Sequence, residues 1–409
     1  MGLSLLGCGG ERKNDFYNVY NSYNVYNGYS MNKLNNKIIR LVGIAVITLL
    51  FGLAIVWAAM IWLWGENSAV LNSETQTTGS INLKQKQQGL TLEQKIGQLF
   101  IIGFDGAVIT PQTEKMFNEL KPGGVLLLKK NIQNAKQVKK LTTDLQALSM
   151  AYSGLPLFIA VDQEGGSVSR LDFLREKTAQ FEIETTQEAY AIGLTRGKEL
   201  KELGVNLNFA PLQDIAASGD FIFDRTFQKD ALQTSKLAAS LAMGQKEAGI
   251  LSCFKHFPGY GGIAFNPEEK LATLTNKAPS VSQFQEATIK IKPEFVMVSN
   301  VVFEDIDSFL PFSFLENGVK QIKQAVGASP LIITDDLAQN SVLKRFSLEQ
   351  IVGLPLMAGN DMLIFSGWKS PVAPAVLAAQ EMVKSGQVAK DKVDKAVSRI
   401  IKQKEKMLE

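Results

Sequence analysis

The sequence predicts an α/β fold, a (β/α)8 barrel of the TIM type, preceded by a single transmembrane helix. Within residues 90–409, eight short apolar runs alternate with amphipathic stretches. Each run is apolar almost throughout, which is typical of strands that are buried on both faces of a parallel sheet. An α/β barrel takes about 250 residues or more, and this part of the chain is long enough for one. Upstream of it, 24 consecutive uncharged residues are enough to cross a bilayer.

Residues 1–36 are polar and of low complexity. Five tyrosines recur there at every third position: Tyr17, Tyr20, Tyr23, Tyr26 and Tyr29. Such a biased segment offers little apolar surface for a core, so we expect it to be disordered. An alternative is that Met31 is the true start of the protein.

Residues 37–64 form the predicted membrane anchor, with the uncharged stretch at residues 41–64. A cleaved signal peptide has a shorter apolar region and a small-residue cleavage site, so an uncleaved anchor is favoured. Three basic residues precede the stretch: Lys33, Lys37 and Arg40. The positive-inside rule therefore places the N-terminus in the cytoplasm and the bulk of the chain outside it.

Residues 65–89 are rich in Ser, Thr, Gln and Asn and predict a flexible linker, and residues 90–409 form the predicted barrel domain. An open, doubly wound sheet is the rival fold, but no GxGxxG follows the first apolar run, which disfavours a dinucleotide-binding domain. The eight candidate strands are residues 98–104, 124–128, 157–161, 205–209, 251–254, 295–299, 331–334 and 362–365.

Composition narrows the chemistry that the chain can perform. A formal net charge of +3 with no basic stripe gives no reason to expect a nucleic-acid partner. One histidine and two distant cysteines are too few for a nitrogen- or sulfur-rich metal site or a disulfide framework. Carboxylates are therefore the expected catalytic groups, and we expect no metal and no cofactor.

Charged residues cluster at the ends of the candidate strands. Any one of them could be a helix cap or part of a surface ion pair, since Asp is a preferred capping residue. As a set they predict an active site at the carboxyl-terminal rim of a barrel. The set is Asp105 after the first run, Asp162 after the third, Asp214 and Arg225 after the fourth, Lys255 and His256 after the fifth, and Asp335 and Asp336 after the seventh.

Six short strings carry a family resemblance: KHFPG, VDQEGG, NFAPLQD, DRTF, VMVSN and ITDDL. From about residue 90 onward, the sequence resembles the N-terminal barrel domain of glycoside hydrolase family 3, and in particular its single-domain bacterial β-N-acetylhexosaminidases. The resemblance implies a retaining, double-displacement mechanism through a covalent glycosyl-enzyme, and an amino-sugar glycan as substrate.

The resemblance also implies roles for individual residues. The family nucleophile maps onto Asp335, whereas the neighbouring Asp336 is expected to be structural. Residues that hold the non-reducing sugar map onto four positions, all of the expected type: Asp162, Arg225, Lys255 and His256. Arg170, in the loop after VDQEGG, is also assigned to substrate binding.

The loop after the fifth strand departs from the family pattern. In the amino-sugar subgroup an Asp-Ser-His triplet carries the general acid/base, and in this chain the triplet falls on Asn266-Pro267-Glu268. Tyr260 replaces a second histidine of the family loop. In the preceding loop, Ser167 stands where the subgroup usually has an arginine.

Two hypotheses follow for Glu268. It supplies the acid/base directly, as carboxylates do in most glycosidases, or it belongs to a solvated charged turn in a loop that has lost its function. The first hypothesis predicts an exo-acting β-N-acetylhexosaminidase on cell-wall or chitin-type glycans. The alternatives are a catalytically impaired barrel that binds envelope glycans, and an active family 3 glycosidase of different sugar specificity.

Overall fold

The computed structural model describes Gly52 and residues 83–275, 279–366 and 371–408. Within these residues, eight parallel strands close into a barrel in the order β1-β12-β11-β9-β7-β6-β3-β2, which confirms the predicted barrel and excludes an open sheet. The strands are, in chain order, β1 (Phe100–Ile102), β2 (Gly124–Leu127), β3 (Phe158–Val161), β4 (Gln163–Gly165), β5 (Val168–Ser169), β6 (Leu207–Asn208), β7 (Leu251–Phe257), β8 (Thr273–Leu274), β9 (Phe295–Val298), β10 (Val302–Phe303), β11 (Leu331–Asp336) and β12 (Met362–Phe365).

All eight predicted runs supply a barrel strand, although seven of the strands differ from the predicted bounds by one to three residues at one or both ends. β1 begins at Phe100, because Gln98 ends the preceding helix. β7 and β11 extend beyond their apolar runs, to Phe257 and Asp336. The pairing register shifts near the carboxyl ends of both strands, after Phe254 in β7 and after Ile333 in β11. The strands therefore become irregular where they carry their charged side chains.

Helices surround the barrel and connect its strands. Several begin at a polar cap, as in the reciprocal capping boxes of Thr91 with Gln94 and of Ser347 with Gln350. The helices are α1 (Leu83–Gln88), α2 (Leu92–Gln98), α3 (Pro111–Leu120), α4 (Ala135–Tyr152), α5 (Thr186–Glu202), α6 (Ala231–Glu247), α7 (Ser282–Lys290), α8 (Glu316–Val326), α9 (Asn340–Leu343), α10 (Leu348–Ala358), α11 (Val372–Lys384) and α12 (Lys390–Leu408), with 3-10 turns at Lys129–Asn131, Gln180–Glu182, Phe223–Arg225 and Phe312–Phe314.

The N-terminal predictions fall mostly outside the described residues. The segment predicted to be disordered, at residues 1–36, and the predicted anchor at residues 37–64 lie there, apart from Gly52. The described part of the chain contains no helix with the length and apolarity that a membrane crossing requires. At the end of the predicted linker, α1 is helical and Leu83 is buried, so the ordered unit begins before residue 90.

A lysine is buried at the amino-terminal end of the barrel, opposite the charged rim. Lys404, on α12, is fully buried, and its Nζ lies 2.6 Å from Oε1 of Gln98 and 5.1 Å from the centre of the Phe158 ring. Burial lowers the pKa of Lys404 from 10.5 to about 7. The fold therefore disfavours the charged ammonium, which the unfolded chain retains up to a higher pH.

Lys404→Met is expected to flatten the pH dependence of stability between about pH 7 and pH 10. In this window the unfolded state binds more protons than the folded state, so wild-type stability rises with pH. A lowering from 10.5 to about 7 corresponds to roughly 4–5 kcal/mol in the free energy of unfolding across the window. Urea unfolding of the wild type and the variant at pH 7.5 and 9.5 measures the difference.

The matched control is Lys402→Met, because Lys402 is exposed on the same helix. It should change the free energy of unfolding similarly at both pH values. Equal pH dependence for the wild type and Lys404→Met would show that Lys404 stays charged in the folded protein.

Candidate active site

A cavity of about 570 Å³ opens at the carboxyl ends of the barrel strands. It is the place where barrel enzymes carry their chemistry. The residues that the sequence assigns to catalysis or substrate binding all line this cavity: Asp162, Arg170, Arg225, Lys255, His256, Glu268 and Asp335. Ser167 and Tyr260, at two of the positions that depart from the family, line it as well.

A buried ion network occupies one side of the cavity. Nζ of Lys255 lies 2.8 Å from Oδ1 of Asp162 and 2.6 Å from Oε1 of Glu164. Arg225 donates two hydrogen bonds to the Glu164 carboxylate, at 2.9 Å from Nε and 2.8 Å from Nη2. Glu164 thus holds the two cations that would donate to sugar hydroxyls, and it fixes their separation.

Glu164 was missed as a site residue by the sequence analysis. Burial alone would raise its pKa, but the charges of Arg225 and Lys255 lower the pKa to about 2. A carboxylate that stays ionised cannot donate a proton to a leaving group, so Glu164 is not suited to be the general acid. The signal in the sequence was its position two residues after Asp162, in the motif VDQEGG.

The turn after Glu164 explains its placement. Gly165 has a φ of +94°, and a Cβ at this position would lie 2.0 Å from the carbonyl oxygen of Thr178. The buried guanidinium of Arg196 donates to the Glu164 carbonyl oxygen at 2.7 Å and to that of Thr178 at 2.9 Å. These contacts hold the backbone that presents Glu164, and they require glycine at the turn.

His256 is held by a buried carboxylate beneath the cavity. Nδ1 of His256 and its backbone N–H lie 2.9 Å and 3.1 Å from Oδ2 of Asp214. Because Asp214 engages Nδ1, Nε2 is the ring nitrogen left for a ligand in the cavity. Asp214, predicted only as a strand-end charge, is fully buried and orients the histidine.

Asp335 lies at the end of β11 and carries a hydrogen-bond donor on each carboxylate oxygen. The phenol of Tyr260 donates to Oδ2 at 2.5 Å, and the backbone N–H of Asp336 donates to Oδ1 at 2.7 Å. Two donors stabilise the ionised form that a nucleophile needs.

Asp336 is occupied by structural contacts, as expected. Its carboxylate accepts from the backbone N–H groups of Ala338 and Ser366, at 2.9 Å and 3.1 Å, and from Oγ of Ser366 at 2.7 Å. Burial raises its pKa to about 6 despite these donors. It ties the loop after β11 to the end of β12.

Glu268 faces the cavity from the loop after β7. Its backbone N–H bonds Oδ1 of Asn266 at 3.0 Å, and its carbonyl oxygen accepts from the N–H of Ser341 at 2.9 Å. Although Glu268 is exposed to solvent at the mouth of the cavity, partial desolvation and then the Asp335 charge raise the pKa of its carboxyl. This is the direction that a general acid requires.

Arg170 extends the cationic side of the cavity toward Glu268. Its charge counteracts the rise in the Glu268 pKa, so the two groups lie within electrostatic reach of each other. Within the described residues, its Nε is buried without a hydrogen-bond partner. Asp105, by contrast, pairs with Lys130 at 2.7 Å outside the cavity lining, so this strand-end charge is not part of the site.

Two carboxyl groups in one cavity thus have opposite environments. Asp335 receives two hydrogen bonds, whereas the pKa of Glu268 is raised. In glycoside hydrolysis, two carboxyl groups in such different environments act as a nucleophile and an acid. The cavity can therefore support displacement at an anomeric carbon with proton transfer to the leaving oxygen.

Comparisons with known proteins agree with this chemistry. The chain is 30% identical over 260 residues to beta-hexosaminidase A of Pseudoalteromonas piscicida, a match that covers 54% of this chain and 42% of the relative. It is 28% identical over 281 residues to a beta-hexosaminidase of Idiomarina loihiensis, a match that covers 64% of this chain and 82% of the relative. The solved structure of a glycoside hydrolase family 3 beta-N-acetylglucosaminidase from a Paenibacillus species superposes with a TM-score of 0.74 at 28% identity. The superposition covers 78% of this chain and 63% of that one.

The chain spans less than half of the first relative and most of the second. A family model described as the glycosyl hydrolase family 3 N terminal domain matches residues 91–403, which is nearly the whole barrel. The chain belongs to glycoside hydrolase family 3.

Proposed function

We propose that the protein is a retaining exo-β-N-acetylhexosaminidase that removes terminal N-acetylhexosamine from cell-wall or chitin-type glycans. The observation that carries the proposal is the pairing of Asp335 and Glu268 in one cavity, beside the network of Lys255, Asp162 and Arg225. The names of the relatives support the amino-sugar class.

In the first step, a carboxylate oxygen of Asp335 attacks the anomeric carbon as the glycosidic bond breaks. The Glu268 carboxyl gives its proton to the departing oxygen, and a glycosyl ester forms on Asp335. Lys255, Arg225 and His256 donate to sugar hydroxyls, and Asp162 accepts from them. Hydrogen bonds of this kind strengthen as positive charge develops on the ring.

In the second step, the Glu268 carboxylate removes a proton from water. The oxygen of that water attacks the anomeric carbon, and the Asp335 carboxylate leaves. The sugar is released with its original β configuration, and Glu268 again holds a proton. No cofactor takes part in either step.

Hydrolysis of nitrophenyl glycosides by the full-length chain tests the activity. We expect release from the N-acetyl-β-glucosaminide to exceed release from the β-glucoside and the β-xyloside. Release only from the latter two would favour a different sugar specificity. No release from any of them, together with measurable binding of N-acetylglucosamine, would favour a glycan-binding barrel.

We also propose that residues 41–64 anchor the chain in a membrane, with the barrel on the extracytoplasmic side. The uncharged length of the segment and the basic residues before it support this proposal. Membranes from expressing cells should retain the full-length protein through alkaline carbonate extraction and release it in detergent. Extraction by carbonate alone would contradict anchoring.

A further inference from the structure

Tyr260 contacts the proposed nucleophile, at a position where the family loop has histidine. We propose that Tyr260 is a positioning residue for Asp335: its phenol orients the nucleophilic carboxylate and stabilises it when it leaves the sugar. This inference rests on the proposed function. It assigns to Tyr260 a role apart from sugar binding, which is to control the orientation and the leaving ability of the nucleophilic carboxylate.

The position of the phenol is set from three sides. The backbone N–H of Tyr260 donates to Oδ1 of Asp214 at 2.7 Å, and the ring packs edge-on against His256 with centroids 4.7 Å apart. The backbone N–H of Asn300 donates to the phenol oxygen at 3.2 Å. Tyr260 is only 4% exposed, so the ring has little freedom to turn.

These contacts also direct the phenol proton. Because Asn300 supplies a hydrogen to the phenol oxygen, the single O–H of Tyr260 is free to point at Asp335. The oxygens of Tyr260 and Asp335 lie 2.5 Å apart, as in a charge-assisted hydrogen bond. The other oxygen of Asp335 receives a backbone N–H, which no side-chain substitution removes. Tyr260 is therefore the donor to Asp335 that mutation can change.

A phenol differs from an imidazole in how it responds to pH. Burial, and then the Asp335 charge, raise the pKa of Tyr260 well above its usual value of 10, so the phenol keeps its proton throughout the working range. A histidine would change its charge within that range. The ionisable groups around Tyr260 and Asp335 are Asp214 and His256 beneath them, Asp336 on the same strand, and Asp162, Arg225, Lys255 and Glu268 across the cavity.

Tyr260→Phe in the full-length protein tests the inference with nitrophenyl and dinitrophenyl N-acetyl-β-glucosaminides. We expect kcat to fall about 10- to 100-fold, the size of one hydrogen bond to a charged group. Deglycosylation should slow more than glycosylation, which would give a burst with the dinitrophenyl substrate.

The matched control is Tyr152→Phe, which removes a hydroxyl bound to Glu114 at the end of α4, outside the cavity lining. It should leave activity and the pH profile unchanged, and N-acetylglucosamine should bind Tyr260→Phe within about twofold of wild type. Tyr260→His should return part of kcat and add an ionisation to the profile.

An unchanged kcat in Tyr260→Phe would overturn the inference, as would an activity loss matched by an equal loss of sugar binding. If the wild type itself cleaves no glycoside, the proposed function fails, and the inference fails with it. If the wild type is active and Tyr260→Phe behaves like it, only the inference fails.

Discussion

Asp335→Asn is expected to lower kcat by roughly 10⁴- to 10⁶-fold, the range seen when an enzyme loses its nucleophile. An amide nitrogen cannot attack the anomeric carbon, and the uncharged amide no longer matches the two donors that surround it. Both the Tyr260 phenol and the Asp336 N–H donate to Asp335, one to each carboxylate oxygen. Whichever way the amide is turned, its NH₂ group would face one of these two donors. The measurement is steady-state hydrolysis of the nitrophenyl substrate by the full-length variant.

The neighbouring Asp336→Asn provides the matched control. Asp336 is held by Ser366 and Ala338, so its loss should disturb the loop and lower kcat by less than about 100-fold. Sugar binding by Asp335→Asn should persist, since Lys255, Arg225 and His256 keep their partners. Near-normal kcat in Asp335→Asn, with a severe loss in Asp336→Asn, would reverse the assignment of the two carboxylates.

Glu268→Gln is expected to give the second-largest effect, and the effect should depend on the leaving group. General acid catalysis contributes about 10²- to 10⁴-fold, so hydrolysis of a glycan with a poor leaving group should fall by that factor. With a dinitrophenyl leaving group, which needs no proton, glycosylation should remain fast while deglycosylation slows. Added azide should restore turnover, because it attacks the glycosyl-enzyme without a base.

The pH profile supplies an independent readout for Glu268. Desolvation and the Asp335 charge raise the pKa of its carboxyl, so the free enzyme keeps the proton to a higher pH than an ordinary glutamate. Wild-type kcat/KM should fall as pH rises through this ionisation, and the limb should be absent from Glu268→Gln. Glu269→Gln is the matched control, because Glu269 is exposed in the same loop outside the cavity lining.

Unchanged leaving-group dependence in Glu268→Gln would support the hypothesis of a loop without function. The structure favours the catalytic hypothesis, because Asn266 and Ser341 hold the Glu268 backbone in a turn. That turn places Glu268, and not its charged neighbour Glu269, at the cavity. We therefore propose that a carboxyl in this place supplies by itself what the family assigns to an Asp-His pair.

Much of the barrel could be predicted from the sequence, since strands buried on both faces leave a continuous apolar pattern. The pattern overestimated β1, because Gln98 is buried at the end of a helix and apolarity alone does not separate the two. It underestimated β7 and β11, because both strands continue past their apolar runs into charged residues. Strands can carry Lys255 and Asp335 there because these side chains reach the cavity and not the core.

The sequence could predict those site residues that directly follow a predicted strand or belong to a family motif. Glu164, Asp214 and Tyr260 escaped assignment, because their roles depend on partners 42 to 91 positions away in a network that only the closed barrel assembles. Tyr260 was visible as a departure from the family loop, but its contact with Asp335 required the positions of β7 and β11. Conversely, Asp105 looked like a site residue and instead pairs with a surface lysine.

The most direct test of the account is mass spectrometry of the trapped glycosyl-enzyme. A 5-fluoro-N-acetylglucosaminyl fluoride would form the covalent intermediate faster than water can clear it, and digestion would locate the attached sugar. If Asp335 is the nucleophile, one adduct should form, on the peptide that contains Asp335, and none in Asp335→Asn. Turnover without any adduct, as expected if the substrate's own N-acetyl oxygen were the nucleophile, or an adduct on another carboxylate such as Asp162, would contradict it.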